Sequence, residues 1–199
     1  MIDFPIVTRR VVLSPLTTAD LTEFVAYRRD PGTARFQSWT TDYSRTDAAE
    51  LVAGQPDSIA SRSGQWLQIG VRLRDAPTLV GDLAVHALAE QPDTYEVGVT
   101  VAPAGRGRGL ATEALDALVG ELFETQRAHR VCAITDVRNA PAAALLTRLG
   151  FRHEGRAVEA DWCKGEWTST DSWAMLRRDA GQSSSSRNGS SCVAYQPRS

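Results

Sequence analysis

The 199-residue sequence lacks the features of a membrane or secreted protein. No apolar run approaches the roughly 20 residues of a membrane-spanning helix, and the N-terminus has no signal-peptide core. The cysteines Cys132, Cys163 and Cys192 form an odd, scattered set, which predicts free thiols in a reducing compartment. We therefore expect a cytoplasmic protein.

The sequence also lacks an excess of one charge sign, and its histidines are not spaced like metal ligands. The chain has 22 basic and 24 acidic residues, so its formal charge of −2 favours neither nucleic acid nor a membrane as a partner. The histidines His86, His129 and His153 lie far apart in the sequence, and we expect no metal site. No Gly-Lys-Ser or Gly-Lys-Thr is present, which excludes a nucleotide-triphosphate loop.

The most informative stretch is residues 95–114, where three patterns follow one another. Residues 95–101 alternate apolar side chains with small or polar ones and predict a strand. The glycines Gly105, Gly107 and Gly109 then predict a turn with unusual backbone angles. Apolar residues at helical spacing predict a helix that begins at Leu110.

A strand, a glycine-rich turn and a helix N-terminus together predict a binding site for a phosphate group. The first N–H groups of a helix lack intrahelical acceptors, and the helix dipole adds partial positive charge there. Arg106 and Arg108 are expected to add fixed charge beside this site. The dinucleotide fingerprint does not fit, because Leu110 or Thr112 occupies the position of its third glycine.

The remaining sequence predicts an α/β protein of a single domain over residues 1–179, followed by a disordered Ser-rich tail over residues 180–199. Strands are predicted over residues 6–13, 66–73, 78–85, 95–101, 130–137, 151–162 and 167–176. Helices are predicted over residues 17–28, 47–61 (with a break at Gly54 and Pro56), 110–126 and 139–149. The strand–helix–strand order around the glycine-rich turn predicts two parallel strands that are neighbours or nearly so.

Two segments resemble the GNAT superfamily of N-acetyltransferases. Residues 106–111 match its Arg/Gln-x-x-Gly-x-Gly/Ala loop, and Asn139, eleven residues before Gly150, resembles its Asn-x-x-Ser/Ala…Leu-Gly-Phe segment. Residues 164–171 are similar to a subgroup that includes acetyltransferases of ribosomal-protein N-termini and some aminoglycoside-type enzymes. The resemblance implies an acyl-CoA N-acyltransferase fold, with a mixed, mostly antiparallel sheet of six to seven strands flanked by helices.

The resemblance also implies that acetyl-CoA is the cosubstrate, held where the fourth and fifth strands part like a V. The implied cofactor contacts are Val99, Val101, Arg106, Gly107, Arg108, Gly109, Leu110, Ala111, Thr112 and Asn139. Taken alone, Asn139 is more typical of a helix cap than of a ligand. Direct attack of an amine on the thioester is the implied reaction, with Glu96 as the base. A paired sheet carboxylate is the alternative for Glu96.

The acceptor is expected opposite the cofactor, near Trp39 and a hairpin that carries Glu159 and Trp162. A solvated acidic hairpin with core tryptophans is the alternative for that segment. The implied acceptor is a primary amine, either a protein N-terminus or a small molecule of the polyamine or aminoglycoside kind. A homodimer stays open as a further partner.

Two positions depart from the family pattern. The family's acidic tyrosine is replaced by Leu146, and the subgroup's serine is replaced by Ala142. The general acid is therefore unassigned: either protonation of the leaving group is dispensable, or another group such as Tyr95 or solvent supplies the proton. These departures motivate an alternative function, a non-catalytic regulatory module that binds acyl-CoA.

Overall fold

The computed structural model describes residues 2–180, so Cys192 and nearly all of the predicted tail lie outside the described residues. The strands are β1 (Ile6–Val7), β2 (Val11–Pro15), β3 (Trp66–Leu73), β4 (Leu79–Ala87), β5 (Thr94–Val101), β6 (Arg130–Asp136), β7 (Arg152–Cys163) and β8 (Glu166–Leu176). The helices are α1 (Leu21–Arg28), α2 (Pro31–Ala34), α3 (Arg45–Gly54), α4 (Leu110–Glu124) and α5 (Ala140–Leu149).

The strands form one mixed sheet in the order β1-β2-β3-β4-β5-β6-β8-β7, in which only β5 and β6 run parallel. The predicted mixed, mostly antiparallel sheet is confirmed, but it has eight strands rather than six to seven. The extra strand arises because residues 6–13 fold back on themselves. The backbone N–H of Thr8 donates to the carbonyl of Val11 at 2.9 Å, which pairs Ile6 with Leu13 across a tight turn.

The first helices agree with the predicted ones in part. Thr17 and Asp20 form the expected capping arrangement before α1. Helix α3 begins at Arg45 after the cap Ser44, two residues earlier than predicted, and it ends at the predicted break at Gly54 without resuming before residue 61. Asp30 ends the α1 region but also begins α2, because its carboxylate accepts a hydrogen bond from the backbone N–H of Thr33 at 2.7 Å. The resulting short helix α2 was not predicted.

The two faces of the sheet carry separate cores. Helices α4 and α5 pack on one face, where Tyr95 and Val97 of β5 meet the buried leucines of α4. Helices α1 and α3 form a smaller core with Leu79 at the start of β4. Because side chains alternate along a strand, Glu96, between Tyr95 and Val97, points to the opposite face from its neighbours.

The parallel pair β5–β6 separates partway along its length. The two strands are in register at Thr94–Arg130, Tyr95–Val131 and Glu96–Cys132 only, although they continue to Val101 and Asp136. On its other side β5 stays paired with β4 as far as Val101. The edge of β5 that faces β6 is therefore open beyond Glu96, as the V-shaped gap requires.

A buried ion pair fastens α1 to the sheet. Arg28 of α1 and Asp82 of β4 are 4% and 1% exposed, and their charged atoms lie 3.6 Å apart. The hydroxyl of Tyr27 and the side-chain amide of Gln68 donate hydrogen bonds to the Asp82 carboxylate. Such a pair is costly to break, because removing one partner leaves the other charge buried without compensation.

We predict that Asp82→Ala lowers the free energy of unfolding by about 3–5 kcal/mol, because Arg28 would keep its buried charge without a partner. Asp116→Ala, at an exposed position of α4, is the matched control and should stay within about 0.5 kcal/mol of the parent protein. Urea unfolding measures both variants. Equal stability of the two variants would contradict the role of the pair.

Candidate active site

The glycine-rich loop needs its glycines for two different physical reasons. Gly107 and Gly109 have φ values of 72° and 73°, in the left-handed region that favours glycine. Gly105 instead lacks room, because a Cβ there would lie 3.0 Å from the carbonyl oxygen of Val80 and 3.1 Å from a methyl group of Val101. The loop can therefore pass closely over the end of β5 and turn directly into α4.

The loop presents a run of unpaired backbone N–H groups. No backbone N–H group from Gly107 to Thr112 donates to an acceptor among residues 2–180. The N–H groups of residues 110–112 belong to the first turn of α4. Because the positive end of the helix dipole lies at the same place, this run can bind a dianionic diphosphate. The predicted phosphate site thus has the donors that it needs.

These N–H groups border a groove of about 640 Å³ between the end of β5, α2 and the start of α5. All the predicted cofactor residues except Arg108 line the groove, namely Val99, Val101, Arg106, Gly107, Gly109, Leu110, Ala111, Thr112 and Asn139. Arg148 also lines it and was missed, because a single arginine late in a helix pattern resembles any solvated residue.

The two loop arginines differ in how their side chains are placed. Arg106 donates to Thr33 Oγ1 at 2.5 Å and to the Asp30 carboxylate at 3.1 Å, so it ties the loop to α2. Hydrogen bonds from Thr33 and from Arg106 hold the pKa of the Asp30 carboxyl below its ordinary value. Arg108 is exposed, and its carbonyl oxygen accepts a hydrogen bond from the Arg10 guanidinium at 2.7 Å. Arg106 therefore lines the groove as a fixed charge, whereas Arg108 does not line it.

Asn139 caps a helix and also lies at the groove. Its side-chain oxygen accepts from the backbone N–H of Ala142 at 3.2 Å, which caps α5, and the residue also lines the groove. Leu146, at the position of the family tyrosine, is only 3% exposed and packs in the core rather than in the groove. Tyr95 is fully buried on the core face and lines neither cavity of the site, so it is wrong as a general acid.

A second cavity of about 630 Å³ adjoins the groove and contains Glu96. The two cavities share Gln37, Val99 and Thr100, so they meet at the open edge of β5. Glu50 of α3 and Trp66 of β3 also line the second cavity. We call this second cavity the acidic pocket, because Glu50, Asp82 and Glu96 line it with Arg28 as the only basic residue.

The Glu96 side chain is 25% exposed at the point where β5 and β6 part. Burial raises the pKa of its carboxyl above the ordinary value, while the nearby His86 acts in the opposite direction. His86 Nδ1 lies 3.9 Å from Glu96 Oε2. A raised pKa makes the ionised carboxylate a stronger base than an exposed glutamate.

Cys132 sits beside Glu96 but is unsuited to nucleophilic catalysis. Burial, together with the negative charge of Glu96, raises the pKa of the Cys132 thiol to about 11. The thiol is therefore protonated at neutral pH, and the thiolate that a covalent acyl intermediate would need is scarce. Cys132 is therefore a poor candidate for carrying an acyl group.

Trp39 lies in the acidic pocket as predicted, but its ring is engaged by the protein itself. The Arg28 guanidinium stands 3.7 Å from the centre of the Trp39 ring, and Trp39 Nε1 donates to the Arg28 carbonyl at 3.2 Å. Trp66, which is 47% exposed, offers ring surface to the pocket instead. Arg28 and Asp82 were missed, because neither has a sequence pattern that separates a buried charge from a solvated one.

The structure places Glu159 and Trp162 outside both cavities. They lie on β7, where Trp162 packs against Trp167 of β8 with ring centres 5.3 Å apart, and each of these two residues is 60% exposed. The expectation that these tryptophans would be core residues is therefore wrong. At the tip of the hairpin, Lys164 Nζ donates to the carbonyl of Ala34 on α2 at 2.5 Å. The hairpin thus braces α2 rather than contributing Glu159 or Trp162 to the pocket.

The described residues contain neither a membrane-spanning helix nor a cluster of metal ligands. No helix within residues 2–180 is long and apolar enough to cross a membrane. Within the same residues, no group of three or more His, Cys, Asp or Glu side chains could hold a metal ion.

The fold and the two joined cavities define the class of protein as an acyl-CoA N-acyltransferase. Residues 10–152 match the family model described as an acetyltransferase (GNAT) domain. The chain therefore belongs to the GNAT acetyltransferase family, and it is an acetyl-CoA-dependent acetyltransferase.

Relatives and solved structures agree with this assignment. The chain is 26% identical over 175 residues to the uncharacterized N-acetyltransferase YoaA of Bacillus subtilis, covering 87% of this chain and 98% of that protein. It is 35% identical over 71 residues to the ribosomal protein uS5-alanine N-acetyltransferase of Escherichia coli, covering 36% and 37% of the two chains. The spermidine N-acetyltransferase of Vibrio cholerae, solved with CoA and spermine, has a TM-score of 0.75 at 18% identity, covering 87% and 99% of the two chains. That last likeness shows the fold alone.

We predict that Gly107→Ala weakens CoA binding by about 5- to 30-fold, the equivalent of the 1–2 kcal/mol that a left-handed conformation costs an L-residue. An added Cβ at Gly107 meets no atom within 4 Å, so the substitution tests the backbone conformation alone. Calorimetric titration with CoA measures the effect.

Gly120→Ala, in the interior of α4, is the matched control. Its Cβ also meets nothing within 4 Å, and its φ lies outside the left-handed region. We expect its affinity for CoA to equal that of the parent protein. Equal affinities of both variants would show that the loop conformation is not what binds the cofactor.

Proposed function

We propose that the protein transfers the acetyl group of acetyl-CoA to a primary amine by direct attack of the amine nitrogen on the thioester. One observation carries the proposal: the groove with the unpaired N–H groups and the pocket with Glu96 share the open edge of β5. A thioester held at Val99 and Thr100 would lie between the cofactor groove and the base. That is the arrangement that direct transfer requires.

The proposed cofactor contacts follow from the donors of the groove. The N–H groups from Gly107 to Thr112 would bind the diphosphate, since they have no other acceptor among the described residues. The open edge of β5 near Val99 and Val101 would pair with the amides of the pantetheine arm as a neighbouring strand would. Asn139 would contact the cofactor from the start of α5.

Glu96 is the proposed general base. An amine is protonated at neutral pH, so a proton must leave the nitrogen before or during attack. The raised pKa of Glu96 brings the basicity of its carboxylate closer to neutral pH, where proton transfer is most efficient. The leaving thiolate, whose thiol pKa is about 8.5, needs little protonation, which fits the absence of a tyrosine from the lining of both cavities.

The acidic pocket suits a cationic amine. Glu50 and Glu96 supply carboxylates, and the exposed ring of Trp66 can stack against a cation. Both a protein N-terminus and a small polyamine- or aminoglycoside-like amine meet these requirements. The names of the related proteins include acceptors of both kinds, ribosomal protein uS5 and spermidine.

We predict that Glu96→Gln lowers turnover by about 10²- to 10⁴-fold, because the amide cannot accept the proton. Affinity for CoA should not change, since Glu96 does not line the cofactor groove. Release of free CoA thiol from acetyl-CoA with a panel of amines measures turnover, and calorimetry measures binding.

Glu124→Gln, at the exposed end of α4, is the matched control and should keep the parent turnover. Unchanged turnover in Glu96→Gln would remove Glu96 from the mechanism. Tight CoA binding by the parent protein without transfer to any amine would instead support the non-catalytic acyl-CoA-binding module.

A further inference from the structure

A row of side chains crosses four strands at the base of the acidic pocket. The strand register places Trp66 of β3 opposite His86 of β4, His86 opposite Glu96 of β5, and Glu96 opposite Cys132 of β6. Residues that are paired in this way lie on the same face of a sheet, with neighbouring side chains about 5 Å apart. His86 is therefore held between an aromatic ring and the proposed base.

The His86 ring is fixed in orientation but not satisfied in hydrogen bonding. It stacks on the Trp66 ring with centroids 4.4 Å apart and planes only 10° from parallel. Its Nδ1 is buried and has no hydrogen-bond partner among residues 2–180, although it faces Glu96 Oε2 at 3.9 Å. Its Nε2 makes no hydrogen bond within the same residues and is not a buried atom. Because the side chain is 20% exposed, this nitrogen reaches solvent.

The acetyl transfer releases two protons from nitrogen. An ammonium group and the thioester give an amide, a thiol and one free proton: the N–C bond forms, the C–S bond breaks, and its electron pair stays on sulfur. One proton ends on the thiolate, and the other must reach solvent. A single carboxylate can hold only one proton at a time, so a second acceptor beside Glu96 would clear the base within one turnover.

We propose that His86 acts through Glu96, accepting at Nδ1 the proton that Glu96 takes from the amine and releasing a proton to solvent from Nε2. This inference rests on the proposed function. The separation of 3.9 Å must close by about 1 Å to reach hydrogen-bond length, a change that a small rotation of the Glu96 side chain supplies. The stacked Trp66 ring would hold the imidazole in place during this movement.

The other charged groups near Glu96 leave His86 as the suitable relay. Cys132 on β6 stays protonated, because the pKa of its thiol is raised to about 11. Arg130 and Glu154 also affect the pKa of that thiol, but they form an ion pair with each other. Arg28 is engaged by Asp82, and Glu50 of α3 lines the same pocket from the helical side.

The test uses His86→Gln, which keeps polar atoms but cannot carry the proton, and His129→Gln, an exposed histidine, as the matched control. Turnover of His86→Gln should fall by about 10-fold or more, within the range of proton-transfer effects. The rising limb of its pH–rate profile should move to higher pH, because His86 lowers the pKa of the Glu96 carboxyl and its removal lets that pKa rise. CoA affinity and the control should not change.

Two additional measurements separate this inference from the proposed function. In a Glu96→Gln background, His86→Gln should cost nothing further, since His86 acts only through the carboxylate. A carbon-13 titration of the Glu96 carboxyl, recognised by its loss in Glu96→Gln, should show a higher pKa in His86→Gln without any need for activity.

A parent-like profile and turnover in His86→Gln would overturn the inference, as would an equal loss in both backgrounds. If Glu96 is not the general base, the turnover of Glu96→Gln will instead equal that of the parent protein. The carboxyl titration would then still report whether His86 and Glu96 interact.

Discussion

The separation of β5 from β6 after Glu96 is the constraint on which the rest of the site depends. Three paired positions hold the strands together, and beyond them the edge of β5 has no strand partner on the β6 side. Unpaired backbone groups need a partner, and an extended ligand with its own amides can supply one. The same separation lets the groove and the acidic pocket meet at Val99 and Thr100, and it places Glu96 at the apex between them.

The elements around this gap are fastened to one another by polar contacts rather than by the main core. Arg106 joins the glycine-rich loop to α2, and Lys164 joins the β7–β8 hairpin to the same helix. The Arg28–Asp82 pair fixes α1, which precedes α2, against β4. The walls of both cavities are therefore linked through α2, so the groove and the acidic pocket share their supporting structure.

The sequence predicted the backbone around the groove well, because the information for it is local. Glycine spacing, the start of α4 at Leu110 and the cap at Asn139 each depend on backbone geometry within a few residues. The acidic pocket depends on side chains brought together from α1, β3, β4 and β5. Arg28 and Asp82 looked like ordinary surface charges, and Glu159 looked like a pocket residue, because burial is decided by packing that no short pattern records.

The central claim is that the amides from Gly107 to Thr112 are the groups that bind the cofactor's diphosphate. The most direct measurement is an amide-resolved NMR titration of the protein with CoA and, separately, with pantetheine, which lacks the diphosphate. The account predicts large shifts of these amides with CoA and small ones with pantetheine. Equal responses to both compounds, or no response of these amides to CoA, would contradict it.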